Sequence, residues 1–263
     1  GPPRNLAPPG VTSPLVILGS GNPVPNPYRF GPASAVVVNG TPYLFDAGEG
    51  VWRGLAKAAT THGGAIARAF QMDNLTRLFI THMHPDHTVG IPTLIMESWY
   101  LNRAAPMEIY GPVGIEHRVD AILDAWKDTI ELDLAKEPTA TPNGWKAQGH
   151  DFAITDSGIV YQDGNVKVEA FQHKHWELPY NYAYRITTPD RVLVIGGDGA
   201  ADDRLISAAQ GADVFVMEVC TEAYLGNAPW GGESLEQKQE VIWQYHIKPR
   251  DLARIATAAK VKT

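Results

Sequence analysis

The run Thr81-His82-Met83-His84-Pro85-Asp86-His87 packs three imidazoles and a carboxylate into six consecutive positions, directly after the apolar segment Leu78-Phe79-Ile80. A buried strand over Leu75 to Ile80 therefore has to deliver this loop to its end, where ligating groups can meet one another. Imidazole nitrogen and carboxylate oxygen are the donors that a divalent cation of the zinc type prefers. In an extended chain His82 and His84 point the same way, and Asp86 and His87, beyond Pro85, turn toward a second position. Four such groups can serve two neighbouring ions. The bland alternative is a set of solvated histidines at a strand end, which the density of ligand types argues against.

Distant segments add donors of the same kind. His173 and His175 are two apart in Val168-Glu169-Ala170-Phe171-Gln172-His173-Lys174-His175 and share one face of a strand. Asp198 follows the apolar run Val192 to Ile195 and two glycines, where the backbone can approach a cation closely and two carboxylate oxygens can bridge a pair. A helix-capping role for Asp198 is the competing reading.

The remaining pattern is that of an α/β layered protein. Short apolar strands lie at 15–18, 35–38, 43–45, 158–160, 166–171, 183–186, 192–195 and 214–217, with Asn39-Gly40 as a hairpin turn. Helical patterns follow Asp46 to residue 59, then span 91–102, 115–132, 202–210, 236–245 and 249–260. The stretch from Asp133 to Thr155, broken by Pro138, Pro142, Gly144 and Gly149, reads as a surface excursion or lid. Residues 1–14 read as a leader remnant, and 15–263 as one domain without an interdomain linker.

The succession Leu18-Gly19-Ser20-Gly21-Asn22-Pro23, Phe45-Asp46-Ala47-Gly48-Glu49-Gly50, the histidine loop, Ala170 to Ile186 and Gly196-Gly197-Asp198 resembles the metallo-β-lactamase superfamily. Within it the similarity is to the ribonuclease Z and arylsulfatase-like branch. The resemblance implies a four-layer αββα sandwich and a hydrolase that uses a dinuclear zinc-type site, with manganese or iron as alternative metals. By position it implies His82, His84 and His175 on the first metal, Asp86 and His87 on the second, and Asp198 bridging them. Asp46 resembles the buried acid that orients the ligand loop, a role compatible with a helix N-cap, and His173 is left as a supporting or cleft-lining histidine. Glu218 and His246 resemble the acid–histidine pair that assists proton transfer to the leaving group, although Met217 stands where that branch often has histidine. The family draws a last histidine from a strand after the helix that Asp251 to Ala259 resembles, and the sequence stops at Thr263 before it. On this reading the second metal site awaits a ligand.

Charge and composition bear on the substrate. The net charge of −7 argues against a broad footprint for nucleic acid, so the leading expectation is a small ester-like substrate, a phosphate or sulfate ester, a lactam or a lactone, with nucleic acid unlikely. A ribonuclease Z-like phosphodiesterase and a metal-binding protein with impaired catalysis are the alternatives. Trp99, Trp126, Trp145, Trp176 and Trp230 are candidates to line an apolar cleft, with Trp176 beside His175 the foremost. No run reaches the length of a membrane span, and the single Cys220 excludes an internal disulfide. Gly1-Pro2 reads as a cleavage scar, which favours an exported or periplasmic protein slightly over a cytoplasmic one. Related enzymes often dimerise, so a homodimer is the oligomeric state implied.

Overall fold

The computed structural model describes residues 12–229 and 232–263. The chain divides into two compact units, the first ending at Phe152 and the second beginning at Ala153.

In the first unit β1 (Leu15–Gly19), β2 (Ala33–Val38), β3 (Thr41–Phe45), β4 (Arg77–Phe79), β5 (Met107–Pro112) and β6 (Ala147–Phe152) form one sheet in sequence order. The first three strands pair antiparallel and the last four run parallel. Its helices are α1 (Val51–His62), α2 (Gly64–Ala69), α3 (Pro85–Thr88), α4 (Ile91–Tyr100), α5 (Ile115–Ala125) and α6 (Lys127–Lys136). All six residues of β2 are buried, which explains its unbroken apolar sequence. Asn39 and Gly40, with φ of 50° and 80°, make the two-residue turn that such a hairpin needs. Parallel strands need long crossovers, and these supply the helices. Leu44, Leu78, Ile80, Leu94, Ile95 and Ile109 form the centre of this unit's core.

Four rings stack across the parallel strands at matched register. Phe45 lies on Phe79 at 5.0 Å, Phe79 on Tyr110 at 5.1 Å, and Tyr110 on His150 at 4.5 Å between centroids. Phe45 immediately precedes Asp46, and Phe79 lies two positions before Thr81. The stack thus sets the strand ends from which the ligand-bearing loops leave.

Two sequence expectations are corrected in this unit, and one strand had none. The helix expected over 115–132 is two helices that change direction at Trp126, whose φ of −103° lies outside the helical range. The bend brings Ile130 into the same core as Val119 and Ile122. The stretch 133–155 is no lid: α6 continues to Lys136, and β6 pairs with β5 through six residues. Between them, Thr141 accepts the Trp99 indole N–H at 3.0 Å and its hydroxyl donates to the Arg103 carbonyl at 2.8 Å. Strand β5 had no sequence expectation, because only Met107 and Ile109 alternate inward before Gly111-Pro112.

The second unit has the sheet order β11-β10-β9-β8-β7, built from β7 (Ser157–Gln162), β8 (Lys167–Gln172), β9 (Tyr182–Thr187), β10 (Val192–Ile195) and β11 (Val214–Val216). Only the β10–β11 pair is parallel. Its helices are α7 (Arg204–Ala209), α8 (Glu222–Asn227), α9 (Leu235–Ile242) and α10 (Pro249–Ala258). Helix α9 starts at a capping box of Ser234 and Gln237, and α10 at Pro249, both devices that satisfy or remove N-terminal N–H groups. Ala183, Leu205, Ala208, Ile247 and Ile255 pack α7 and α10 onto this sheet. Beyond α10, the Thr263 carbonyl accepts from Phe215 N at 2.9 Å, alongside β11. No helix among the described residues is long and apolar enough to cross a membrane.

Candidate metal centre

In the first unit the ligand loop is built around Asp46. This residue leaves β3 with φ of 59°, a left-handed conformation uncommon outside glycine. Its carboxylate accepts from Thr81 N at 2.8 Å, from the Thr81 hydroxyl at 2.9 Å and from His87 Nδ1 at 2.8 Å. One buried acid therefore fixes both ends of the loop. The backbone closes the same bracket, Ala47 N donating to the His87 carbonyl and Gly90 N to the Ala47 carbonyl, both at 2.8 Å. Gly48 is required there, since a Cβ would stand 2.6 Å from the Asp86 carbonyl oxygen.

Within this bracket the imidazoles converge. His82 Nε2 faces His84 Nδ1 at 2.9 Å, and the His82 and His87 rings lie 4.1 Å apart. Asp86 Oδ2 is 3.7 Å from His87 Nε2. His84 stands at the start of α3 and Pro85 is its first residue, so the turn after the proline is helical. Donation from His87 Nδ1 to Asp46 leaves Nε2 as the nitrogen that could hold a metal, the usual support of a metal-binding histidine. Arg118 of α5 steadies the loop by donating to the Thr88 hydroxyl at 2.6 Å and the Met83 carbonyl at 3.3 Å. Burial lowers the pKa of that guanidinium.

The second unit carries its own set at the ends of β8 and β10. His175 Nδ1 donates to the Tyr245 carbonyl at 2.7 Å, again orienting the ring and leaving Nε2. His173, the other member of the pair, is buried and donates from Nε2 to the Gly196 carbonyl at 2.9 Å. Burial pushes its pKa down to about 4, so it is a neutral strut beneath the Gly196–Asp198 turn. Asn181 braces the same turn, donating to the Asp198 carbonyl at 3.0 Å. Gly199 has no room for a side chain, because its Cβ would meet the His173 ring at 2.5 Å. Asp202 ties the segment down by accepting from Lys174 N at 2.8 Å.

Glu218 and His246, 28 residues apart in sequence, form a pair: Nδ1 to Oε1 is 2.9 Å, and Asp198 Oδ2 lies 3.8 Å from the same nitrogen. Glu218 also accepts from Ile247 N and Gly199 N, each at 3.3 Å. Burial raises the Glu218 pKa, with the His246 hydrogen bond working against it.

Of the tryptophans, Trp99 belongs to the first unit's core, whereas Trp126 and Trp176 are exposed and Trp145 is partly buried against that core. Trp230 lies outside the described residues. Thr81, Arg118, Asn181 and Tyr245 carry weight that the sequence did not signal. Tyr245 acts through its carbonyl, and every residue has one.

A sequence profile of the β-lactamase superfamily domain matches residues 41–263. The chain belongs to the metallo-β-lactamase superfamily. Ribonuclease Z of Mycobacterium bovis (strain BCG / Pasteur 1173P2) is 28% identical over 252 residues, covering 95% of this chain and 83% of the relative. Ribonuclease Z of Methanothermobacter thermautotrophicus is 26% identical, covering 94% of this chain and 83% of its own length. The crystal structure of the short form of human tRNase Z superposes with a TM-score of 0.68 at 23% identity, covering 94% of this chain and 89% of that one. The chain thus has the metallo-β-lactamase fold and stands in the superfamily's ribonuclease Z branch, and the protein is a metal-dependent hydrolase. These relatives do not extend to the arylsulfatase-like side of the resemblance. The donor sets of both units suit the divalent metal that membership implies: each carries imidazoles oriented by donation to a carboxylate or carbonyl, together with carboxylate donors.

Proposed function

We propose that this metallo-β-lactamase superfamily protein is a ribonuclease Z-like phosphodiesterase that cleaves RNA at a dinuclear zinc centre. The observation that carries the reading is the Glu218–His246 hydrogen bond at 2.9 Å, in a chain whose ribonuclease Z relatives align over nearly its whole length. Those relatives correct the expectation that nucleic acid is an unlikely partner, and they favour the nuclease alternative over the small-ester reading. Net charge sums over the whole surface, whereas a phosphate is held locally, and bound cations supply much of the positive charge there.

In this reading His82, His84 and His175 hold one metal, Asp86 and His87 the other, and Asp198 both. The bound metals would supply an activated water near neutral pH and neutralise charge on the phosphoryl oxygens. The chain's own groups do the rest. Asp46 holds His87 and Thr81 in place. Glu218 fixes His246 through Nδ1, so that Nε2 can carry the proton given to the leaving oxygen.

The test is cleavage of a precursor transfer RNA by the zinc-loaded protein, beside chromogenic sulfate-ester and β-lactam substrates. RNA should be cut and the other two left intact. Asp86→Ala should abolish cleavage, and His246→Ala should lower kcat by about 10²–10⁴-fold with metal content unchanged. Full hydrolysis by Asp86→Ala would overturn the metal assignment, and full activity of His246→Ala the proton-donor role.

A further inference from the structure

Trp176 combines exposure with a fixed position. The residue is 57% exposed, although it directly follows the oriented histidine His175. Its backbone sits at φ of 49°, a conformation that a bulky residue adopts only when its surroundings impose it. The imposing contacts are on either side: Leu178 N donates back to the His175 carbonyl at 3.2 Å, and His175 Nδ1 is tied to the Tyr245 carbonyl at 2.7 Å. The Tyr245 ring lies 6.3 Å from the indole and 4.9 Å from the His246 ring. The hydrogen bond from His175 to the Tyr245 carbonyl therefore keeps a ligand-type imidazole, an exposed indole and the residue next to His246 close together.

We propose that Trp176 is a specificity-determining residue, on which a nucleobase flanking the scissile phosphate stacks. The inference rests on the RNA-cleaving reading given above. Every base offers a π face, so such a platform reads the presence of an unstacked base and tolerates its identity. It would favour single-stranded RNA over compact phosphodiesters, because a base inside a duplex is already stacked.

The experiment compares wild type, Trp176→Ala and Trp176→Phe, all zinc-loaded, on an RNA carrying the cleavage junction and on copies with an abasic ribose at each flanking position. Trp176→Ala should raise KM about tenfold or more with little change in kcat, and Phe should recover part of it. One abasic copy should cost the wild type the same factor and cost Trp176→Ala nothing further. In parallel, an uncleaved RNA with a methylphosphonate at the junction should quench long-wavelength indole emission in wild type but not in Trp176→Phe. An unchanged KM, an equal penalty on every abasic copy, or quenching that persists in Trp176→Phe overturns the inference while RNA cleavage stands. Loss of the exposed indole signal with rising protein concentration, in the absence of RNA, would also overturn it, because a second copy would then cover the ring. A protein that hydrolyses bis(p-nitrophenyl) phosphate yet leaves every RNA intact defeats the RNA-cleaving reading itself.

Discussion

Asp46 is the residue on which the first unit's candidate ligands depend, and three of its hydrogen bonds reach 35 to 41 positions along the chain. An acid at this position is legible in the sequence; its partners are not, because they meet it only through strand pairing. Asp46→Asn keeps the size of the side chain but turns one acceptor into a donor facing His87. Metal affinity should fall about 10–100-fold with the fold retained, as read by zinc competition against a chromogenic chelator and by circular dichroism. Unchanged affinity would mean that the loop is shaped by its backbone alone. The pair His173 and His175 marks the limit of sequence reading at this scale. Their spacing predicts one shared strand face, but β8 ends at Gln172 before either, and the partners Gly196 and Tyr245 are what separate the strut from the candidate ligand.

At the scale of elements, strands with apolar runs were legible even at the sheet edges, as β1, β7 and β11 show, whereas β5 and β6 were not. Strand β2 is buried throughout, whereas β6 exposes or half-exposes five of its six residues and carries Gln148, His150 and Asp151. Its register comes from β5, which no local pattern announces. The connection from α4 to β5 depends on Arg103, fully buried and without signal in the sequence. Its guanidinium donates to the Ser98 hydroxyl at 2.7 Å and to the carbonyls of Ala105 and Ile95 at 2.6 and 2.9 Å, and burial lowers its pKa to about 10. Arg103→Met removes the cost of a buried charge but strands those acceptors. Losing several charge-assisted bonds outweighs the relief, so the variant should be less stable by about 2 kcal/mol. Urea unfolding with an unchanged midpoint and slope would contradict this.

For the whole molecule, nothing in composition marks the boundary after Phe152, since no cluster of glycine, proline or charge lies there. What was legible was the family pattern, because its motifs are spread from Leu18 to Asp198 and cannot shift independently. Cys220, the chain's one cysteine, gives a probe of the second unit. Burial, with the Glu218 charge adding to it, pushes its thiol up to about 11. A raised pKa disfavours the thiolate, so at pH 8 its fraction is roughly 100-fold below that of an ordinary thiol. Modification by a disulfide reagent should be slow at pH 8, fast in denaturant, and slower still after zinc is added, because a ligand of the folded state reduces opening. Rapid labelling of the zinc-loaded protein would contradict this. The pile of rings from Phe45 to His150 has its own bearing on the molecule's history. Strands keyed to one another by stacked faces do not rely on their loops for alignment. The segments that leave those strands are therefore free to lengthen, shorten or exchange chemistry, and a lineage can try new substrates without reinventing its scaffold.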